Sequence, residues 1–335
     1  MRIGLLPGDR RDAMTLQDTV QQVVQAENDG FDSVWFPQIS GFGYDALTII
    51  SLAGMQTERI ELGTAVIPTF PTHPLAMAKH ALTAQAATQG RLTLGLGLSH
   101  KTSIEGTMGL SYQHPLRHMR EYLTVVRSLV EDGSTDFDGE AFQVKAELNV
   151  PGSSSFPIVT AALAPRMLRL AGELADGTVT WMAGVKAIGS HVSPRIREAA
   201  EAAGRPSPRV IASLPLAVTD DSSEARERAA RTYNRYGQLT NYRRILDIEG
   251  VEGPSEVAVI GNEAQVEQQL RDFASAGATD FVASILPVTS DRHASAVRTM
   301  DFLKSMVGRF KTAGVACPID RAGTPAYNPQ QHQWG

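Results

Sequence analysis

One cysteine, Cys317, stands among the 335 residues, so no disulfide can form within the chain. C-x-x-C pairs and zinc-type Cys/His spacings are missing as well, which leaves no metal site to expect and makes a reducing compartment the natural setting. No apolar run approaches the ~18 residues of a membrane span. The opening MRIGLLPGDRRD sets Asp and Arg directly after an apolar stretch too short for a signal core. The expectation is a cytoplasmic chain that does not engage a membrane. An excess of positive charge is also lacking: 31 Lys and Arg, scattered, stand against 36 Asp and Glu. Nucleic acids are bound through clustered cations that release counterions, so they are not expected partners. The patterns G-x-S-x-G, H-E-x-x-H and G-x-x-x-x-G-K-[ST] do not occur, and with them go the commonest hydrolase and nucleotide-triphosphate chemistries.

What the chain does have is 42% hydrophobic and 20% charged residues, the mix of a well-buried globular enzyme. Short runs rich in Val, Ile and Leu alternate with amphipathic stretches of helical length, which is the signature of βαβ units and a parallel sheet. Eight such pairs are readable, with strands over Arg2–Leu6, Ser33–Phe36, Ile60–Val66, Leu92–Leu98, Pro157–Ala161, Gly177–Trp181, Arg209–Val218 and Asp280–Leu286. A helix over Thr15–Asp29 starts at a capping Thr and ends before Gly30. The pattern predicts an α/β fold of the (β/α)8 TIM-barrel type, one domain over residues 1–310, and an irregular tail over 311–335. A barrel needs ~250 residues, so the surplus calls for insertions. They are expected after strand four (TSIEGTMGLSYQHP), as a hairpin turning near Asp138-Gly139 before strand five, and as extra helices after strand seven.

Barrel enzymes work at the C-terminal ends of their strands. After strand two, Gln38 and Tyr44 offer polar groups and Phe42 an aromatic one; an ordinary βα turn is the alternative. After strand three, Pro68, Pro71 and Pro74 force a fixed path and set His73 just before a helix, as a pocket group or a plain loop residue. Strand four carries Gly95 and Gly97, which means that a ligand or another element approaches its backbone closely. His100, just beyond, is the best acid/base candidate. After strand five, Ala164-Pro165-Arg166-Met167 opens a helix with free N–H groups beside an arginine, an anion site by dipole and charge together. After strand six, Trp181 either walls an apolar substrate pocket or plugs the barrel. A Gly-rich, apolar, carboxylate-poor rim suits a flat cofactor that carries the chemistry itself.

The segments AENDGFDSVWFPQ, RIELGTAVIPTFPTHPLAMAKHALTAQAATQGRLTLGLGLSHK, HMREYLTVVRSLV and PRMLRLAGELADGTVTW resemble the luciferase-like monooxygenase superfamily, specifically its coenzyme F420-dependent oxidoreductase branch. The likeness runs from Met1 to about Arg309. It implies a bulge after strand three with a non-prolyl cis peptide between Ala65 and Val66, supporting the deazaflavin ring. It also implies ring and ribityl contacts from Gly97, Leu98, Ser99 and His100, and a coenzyme phosphate at Ala164–Met167. Sugar-phosphate dehydrogenases of this branch carry an Asp-His pair and a Glu where this chain has Pro37-Gln38 and His100, and a Thr and a Lys where it has Trp181 and Gly184. Sugar-phosphate oxidation is therefore not expected.

The resulting expectation is hydride transfer between the deazaflavin C5 and a C=C, C=N or C=O group of a mostly apolar small molecule. His100 would relay the proton, Gln38 would orient the ring or substrate, and Phe42, Tyr44, His73 and Trp181 would face the substrate. An FMN-dependent monooxygenase of the same superfamily and a non-catalytic barrel subunit are the alternatives. Pairing into a homodimer is what the family implies.

Overall fold

The computed structural model describes residues 1–7, 14–39 and 41–310. Eight parallel strands lie where the alternation puts them: β1 Arg2–Leu5, β2 Ser33–Phe36, β3 Glu61–Thr64, β4 Leu92–Gly97, β5 Ile158–Ala161, β6 Gly177–Trp181, β7 Arg209–Val218 and β8 Asp280–Ile285. Each pairs with the next, and β8 pairs with β1 through Arg2↔Asp280, which closes the barrel. Its helices are α1 Leu16–Asn28, α2 Ala46–Gly54, α3 Pro74–Ala87, α4 Pro115–Glu131, α5 Pro165–Leu174, α6 Ser193–Ala202, α7 Glu263–Ser275 and α8 Arg292–Met306. Helix α1 begins where its cap predicts, with Thr15 accepting from the Asp18 N–H at 3.1 Å and Asp18 reaching back to the Thr15 backbone. None of the described helices is long and apolar enough to cross a membrane.

The barrel interior is filled in layers. At the N-terminal end of the strands, Arg2 reaches Glu61 at 2.6 Å and Asp280 at 2.5 Å, while Arg209 reaches the same two carboxylates at 2.8 Å each. Buried charges are tolerated only when paired in this way. The Arg209 guanidinium lies 5.7 Å from the Trp35 ring, and Trp35 belongs to the next layer with Val159, Val179, Ile211 and Val282. Gly63 is a glycine because a Cβ there would strike the Trp35 indole. Leu6, Ala65 and Val66, only partly buried, rest on that layer and form the apolar floor of the mouth.

Two insertions follow α4 and β7. The hairpin pairs Ser134–Asp138 with Gln143–Glu147. The buried Glu121 carboxylate of α4 holds its tip by accepting the N–H groups of Glu140, Ala141 and Phe142 at 3.2, 2.7 and 3.0 Å. After β7 come helices Ser222–Gln238 and Thr240–Glu249, a turn Pro254–Val257, and a strand Val259–Gly261 that extends β7.

Two details depart from the sequence reading, the extent of the third strand and a helix after Ser99, while the Ala65-Val66 cis bond lies where the resemblance put it and the close neighbour of Gly95 and Gly97 is another element, one of the two alternatives. The third strand is not continuous to Val66: it ends at Thr64, and pairing resumes at Ile67–Pro68 alongside β4. The intervening Ala65-Val66 bond is cis, and the bulge is held by Ala65 N–H donating to Phe36 O at 2.8 Å. The segment after Ser99 is not wholly loop, since Lys101–Gly106 is helical. The close approach to Gly95 and Gly97 comes from this bulge, because a Cβ at either position would run into Thr64 O or Val66 Cγ2. The 311–335 tail lies outside the described residues.

Candidate active site

The mouth floor is hydrocarbon, and the groups around its rim come from four strand ends. On the β4 side, Ser99 adopts φ 59°, and two strands further on Met182, just past β6, adopts φ 60°. Left-handed conformations of residues other than glycine cost ~1–2 kcal/mol, and such outliers gather at functional sites. His100 follows Ser99, and its ring lies 5.7 Å from the Tyr242 ring. Burial, assisted by the nearby Arg235 charge, holds the His100 imidazole below its usual pKa. It is thus neutral at pH 7, a proton acceptor rather than a donor cation.

Over the end of β6 the strand-seven insertion builds an aromatic wall. Trp181 meets Tyr233 at 5.8 Å and Tyr236 at 5.9 Å, both edge-on, and Tyr236 meets Tyr242 at 5.0 Å. Edge-to-face contacts of this kind stabilise by ~0.5–1.5 kcal/mol beyond area burial. Trp181 thus belongs to one aromatic cluster with Tyr233, Tyr236 and Tyr242, which reaches His100 through Tyr242. The three tyrosines and Arg235 did not stand out in the sequence; their only signal was the 3-residue spacing of Tyr233 and Tyr236 within one helical segment. Glu249 of the same insertion brings a carboxylate to the rim, but it is occupied by the N–H groups of Lys186 at 3.2 Å and Ala187 at 2.7 Å.

At the end of β5 the loop carbonyls are tied down. Thr178 Oγ1 donates to Thr160 O at 2.9 Å, and the His191 Nε2 lies 2.7 Å from Leu163 O. Ala164 then caps α5 without a side-chain hydrogen bond, and Pro165 occupies its first turn. The N–H groups of Arg166 and Met167 at this start have no intrahelical acceptor, and the Arg166 side chain is exposed. A helix start of this kind favours negative charge.

At the β2 end the polar side chains are partly committed to local bonds. Gln38 Oε1 accepts the Ala46 N–H at 2.8 Å and so caps α2, which leaves its amide NH2 as the group for a ligand. Tyr44 donates to Met14 O at 3.0 Å, and Phe42 is 75% exposed; neither joins the aromatic wall. His73 caps α3 with its Nδ1, 3.2 Å from the Leu75 N–H, and faces Phe142 of the hairpin rather than Trp181. Among the described residues no group of three or more His, Cys, Asp or Glu could hold a metal ion.

A flat, phosphorylated heterocycle fits this mouth. The floor of Leu6, Ala65 and Val66 is apolar, and the uncapped α5 start beside it supplies N–H donors. The Oγ1 of Thr160 in β5 and the indole Nε1 of Trp181 at the end of β6 are buried without a partner.

Known proteins resemble the chain along nearly its whole length. The luciferase-like monooxygenase family model matches residues 2–280. A Mycobacterium tuberculosis protein named "Putative coenzyme F420-dependent oxidoreductase" is 26% identical over 97% of this chain and 96% of its own. A 5,10-methylenetetrahydromethanopterin reductase of Archaeoglobus fulgidus is 35% identical over 46% of each chain. Among solved structures, an F420-dependent secondary alcohol dehydrogenase in complex with an F420-acetone adduct superposes with a TM-score of 0.76 at 19% identity, covering 93% of this chain and 99% of that one.

Proposed function

Because the chain belongs to the luciferase-like monooxygenase family, we propose that it is a coenzyme F420-dependent oxidoreductase acting on a mostly apolar small molecule. The observation that carries this reading is the apolar Ala65–Val66 bulge set beside the uncapped start of α5, a floor and a phosphate holder in one mouth. When bound, the deazaflavin supplies a hydride donor and acceptor at its C5, for exchange with a C=C, C=N or C=O group.

The chain's own residues then have separable tasks. Leu6, Ala65 and Val66 exclude water from one face of the mouth, which strengthens every polar interaction made there. The N–H groups of Arg166 and Met167, with the Arg166 guanidinium, hold the phosphate. The backbone of Gly97, Leu98 and Ser99 lines the β4 side. Trp181 and the insertion tyrosines select apolar substrates, and the Gln38 NH2 donates to a ring or substrate oxygen. His100, kept neutral by burial and Arg235, takes the proton of an alcohol or amine as it is oxidised, and returns it when the reaction runs backwards.

Fluorescence titration with coenzyme F420 and with FMN tests the coenzyme assignment: saturable F420 binding is expected, and tight FMN binding with none for the deazaflavin overturns it. Enones, imines and ketones offered with reduced coenzyme then identify the acceptor class.

A further inference from the structure

Beside the mouth lies a second cavity of about 440 Å³, lined by Phe70, His73, Ser111, His114, Arg117 and Phe142 among others. Phe70 and Tyr112, with ring centroids 5.0 Å apart, stand between it and β4, and the Tyr112 hydroxyl reaches Ser99 O at 3.5 Å. This is the size of a small-molecule site, and the reaction proposed above makes no use of it. We propose that this cavity binds the carboxylate or phosphate of a small molecule, held by Arg117 and the open start of α4.

Arg117 sits in the first turn of α4, whose cap residue His114 makes no side-chain capping bond. The N-terminal dipole and the guanidinium therefore favour the same negative charge. The Arg117 Nε is buried without a partner, an unmet donor in a group whose geometry suits a two-oxygen acceptor. Its Nη1 is engaged by Glu140 at the hairpin tip, a side chain 74% exposed. That exposed carboxylate stands in for the ligand, and an incoming anion would replace it.

The rest of the cavity supplies shape and a further donor. His118 stacks on Phe70 at 3.9 Å and lies 3.0 Å from Thr69 Oγ1. Burial pushes its imidazole down to about 4, so it serves as a neutral planar wall. With His73 Nδ1 accepting from Leu75, the Nε2–H is that ring's donor. Phe142, edge-on to His73 at 5.9 Å, closes the hairpin side.

Two sources carry this chemistry: the charged tail of the coenzyme, which rests on the function proposed above, and a free anion or anionic substrate, which does not. The experiment titrates wild type, R117Q and E140Q with glutarate and inorganic phosphate by calorimetry. In parallel it titrates coenzyme F420 and the phosphate-free deazaflavin carrying only the ribityl chain, by fluorescence. R117Q is expected to weaken at least one charged probe tenfold or more while the phosphate-free deazaflavin binds as before, and E140Q, relieved of its internal competitor, to tighten the same probe several-fold. Loss confined to F420 assigns the cavity to the coenzyme tail; loss confined to glutarate or phosphate assigns it to a separate anion. The proposal is overturned if R117Q binds all three charged probes as tightly as wild type, or if E140Q weakens them. A wild type that binds neither deazaflavin removes the coenzyme reading, while the glutarate and phosphate arms still decide the cavity.

Discussion

Replacing Gly97 by alanine tests the idea that the mouth floor is fixed by the fit of the β3 bulge onto β4. The added Cβ would lie 3.4 Å from Ala161 Cβ and deep inside van der Waals contact with Val66 Cγ2. Escape is restricted on both sides. Val66 is β-branched and stiff about χ1, and Gly97 O accepts the Thr69 N–H at 2.9 Å, which ties β4 to the chain just beyond the bulge. Overpacking of this kind costs ~1–3 kcal/mol, a fall in Tm of ~2–10 °C by differential scanning fluorimetry. The displaced Val66 would also tilt the floor, and a positioning error near 1 Å can cost ~10²-fold in rate. Deazaflavin affinity should thus fall tenfold or more in the same protein. The G97A/V66A double variant removes the offending methyl and should recover part of both losses, a coupling of ~1–2 kcal/mol in the double-mutant cycle. Wild-type Tm and affinity in G97A, or no recovery in the double variant, would refute the reasoning.

Further outcomes follow from the site and the frame. His100→Asn should lower turnover by ~10²–10⁴-fold with coenzyme affinity within a few fold; full turnover removes His100 from the mechanism. Since burial and Arg235 lower the His100 pKa, kcat/KM for oxidation should hold as pH falls to the usual histidine range and drop only below it. R235Q should move that acidic limb upward, and a limb that stays put contradicts the assignment. Trp181→Ala should raise KM for apolar substrates about tenfold, near 1.4 kcal/mol, and an unchanged KM places the substrate elsewhere. Glu61→Gln leaves two partly buried arginines with Asp280 as their one remaining carboxylate and should cost ~1–3 kcal/mol in urea unfolding, with kcat of the folded enzyme within twofold.

The barrel was legible because its strands are buried on both faces and so read as unbroken apolar runs, as in Arg209–Val218. The start of α5 was legible for a local reason: Pro165 and the residues around it determine a helix start without help from distant chain. Gly95 and Gly97 announced a close neighbour but not which one, since a ligand and a bulge demand the same missing Cβ. The bond from the Ala46 N–H to Gln38 was not legible, because a side-chain amide can be spent on a helix start eight residues away. His73 was ambiguous until Phe142, from a hairpin far along the chain, closed on it. The aromatic wall was invisible because Tyr233, Tyr236 and Tyr242 meet Trp181 and His100 only through tertiary packing.

The paired charges at the narrow end of the barrel also bear on how the molecule is made. Arg2 and Glu61 belong to the first fifth of the chain, whereas Arg209 and Asp280 come far later. During synthesis the early pair leaves the ribosome with the other two members of the cluster still untranslated. The seam between β1 and β8 cannot zip until residue 280 has emerged, so the nascent sheet carries open strand edges for most of elongation. Chains truncated before β8 should therefore be retained by chaperones or degraded, and shortened versions of this protein should not accumulate as stable half-barrels.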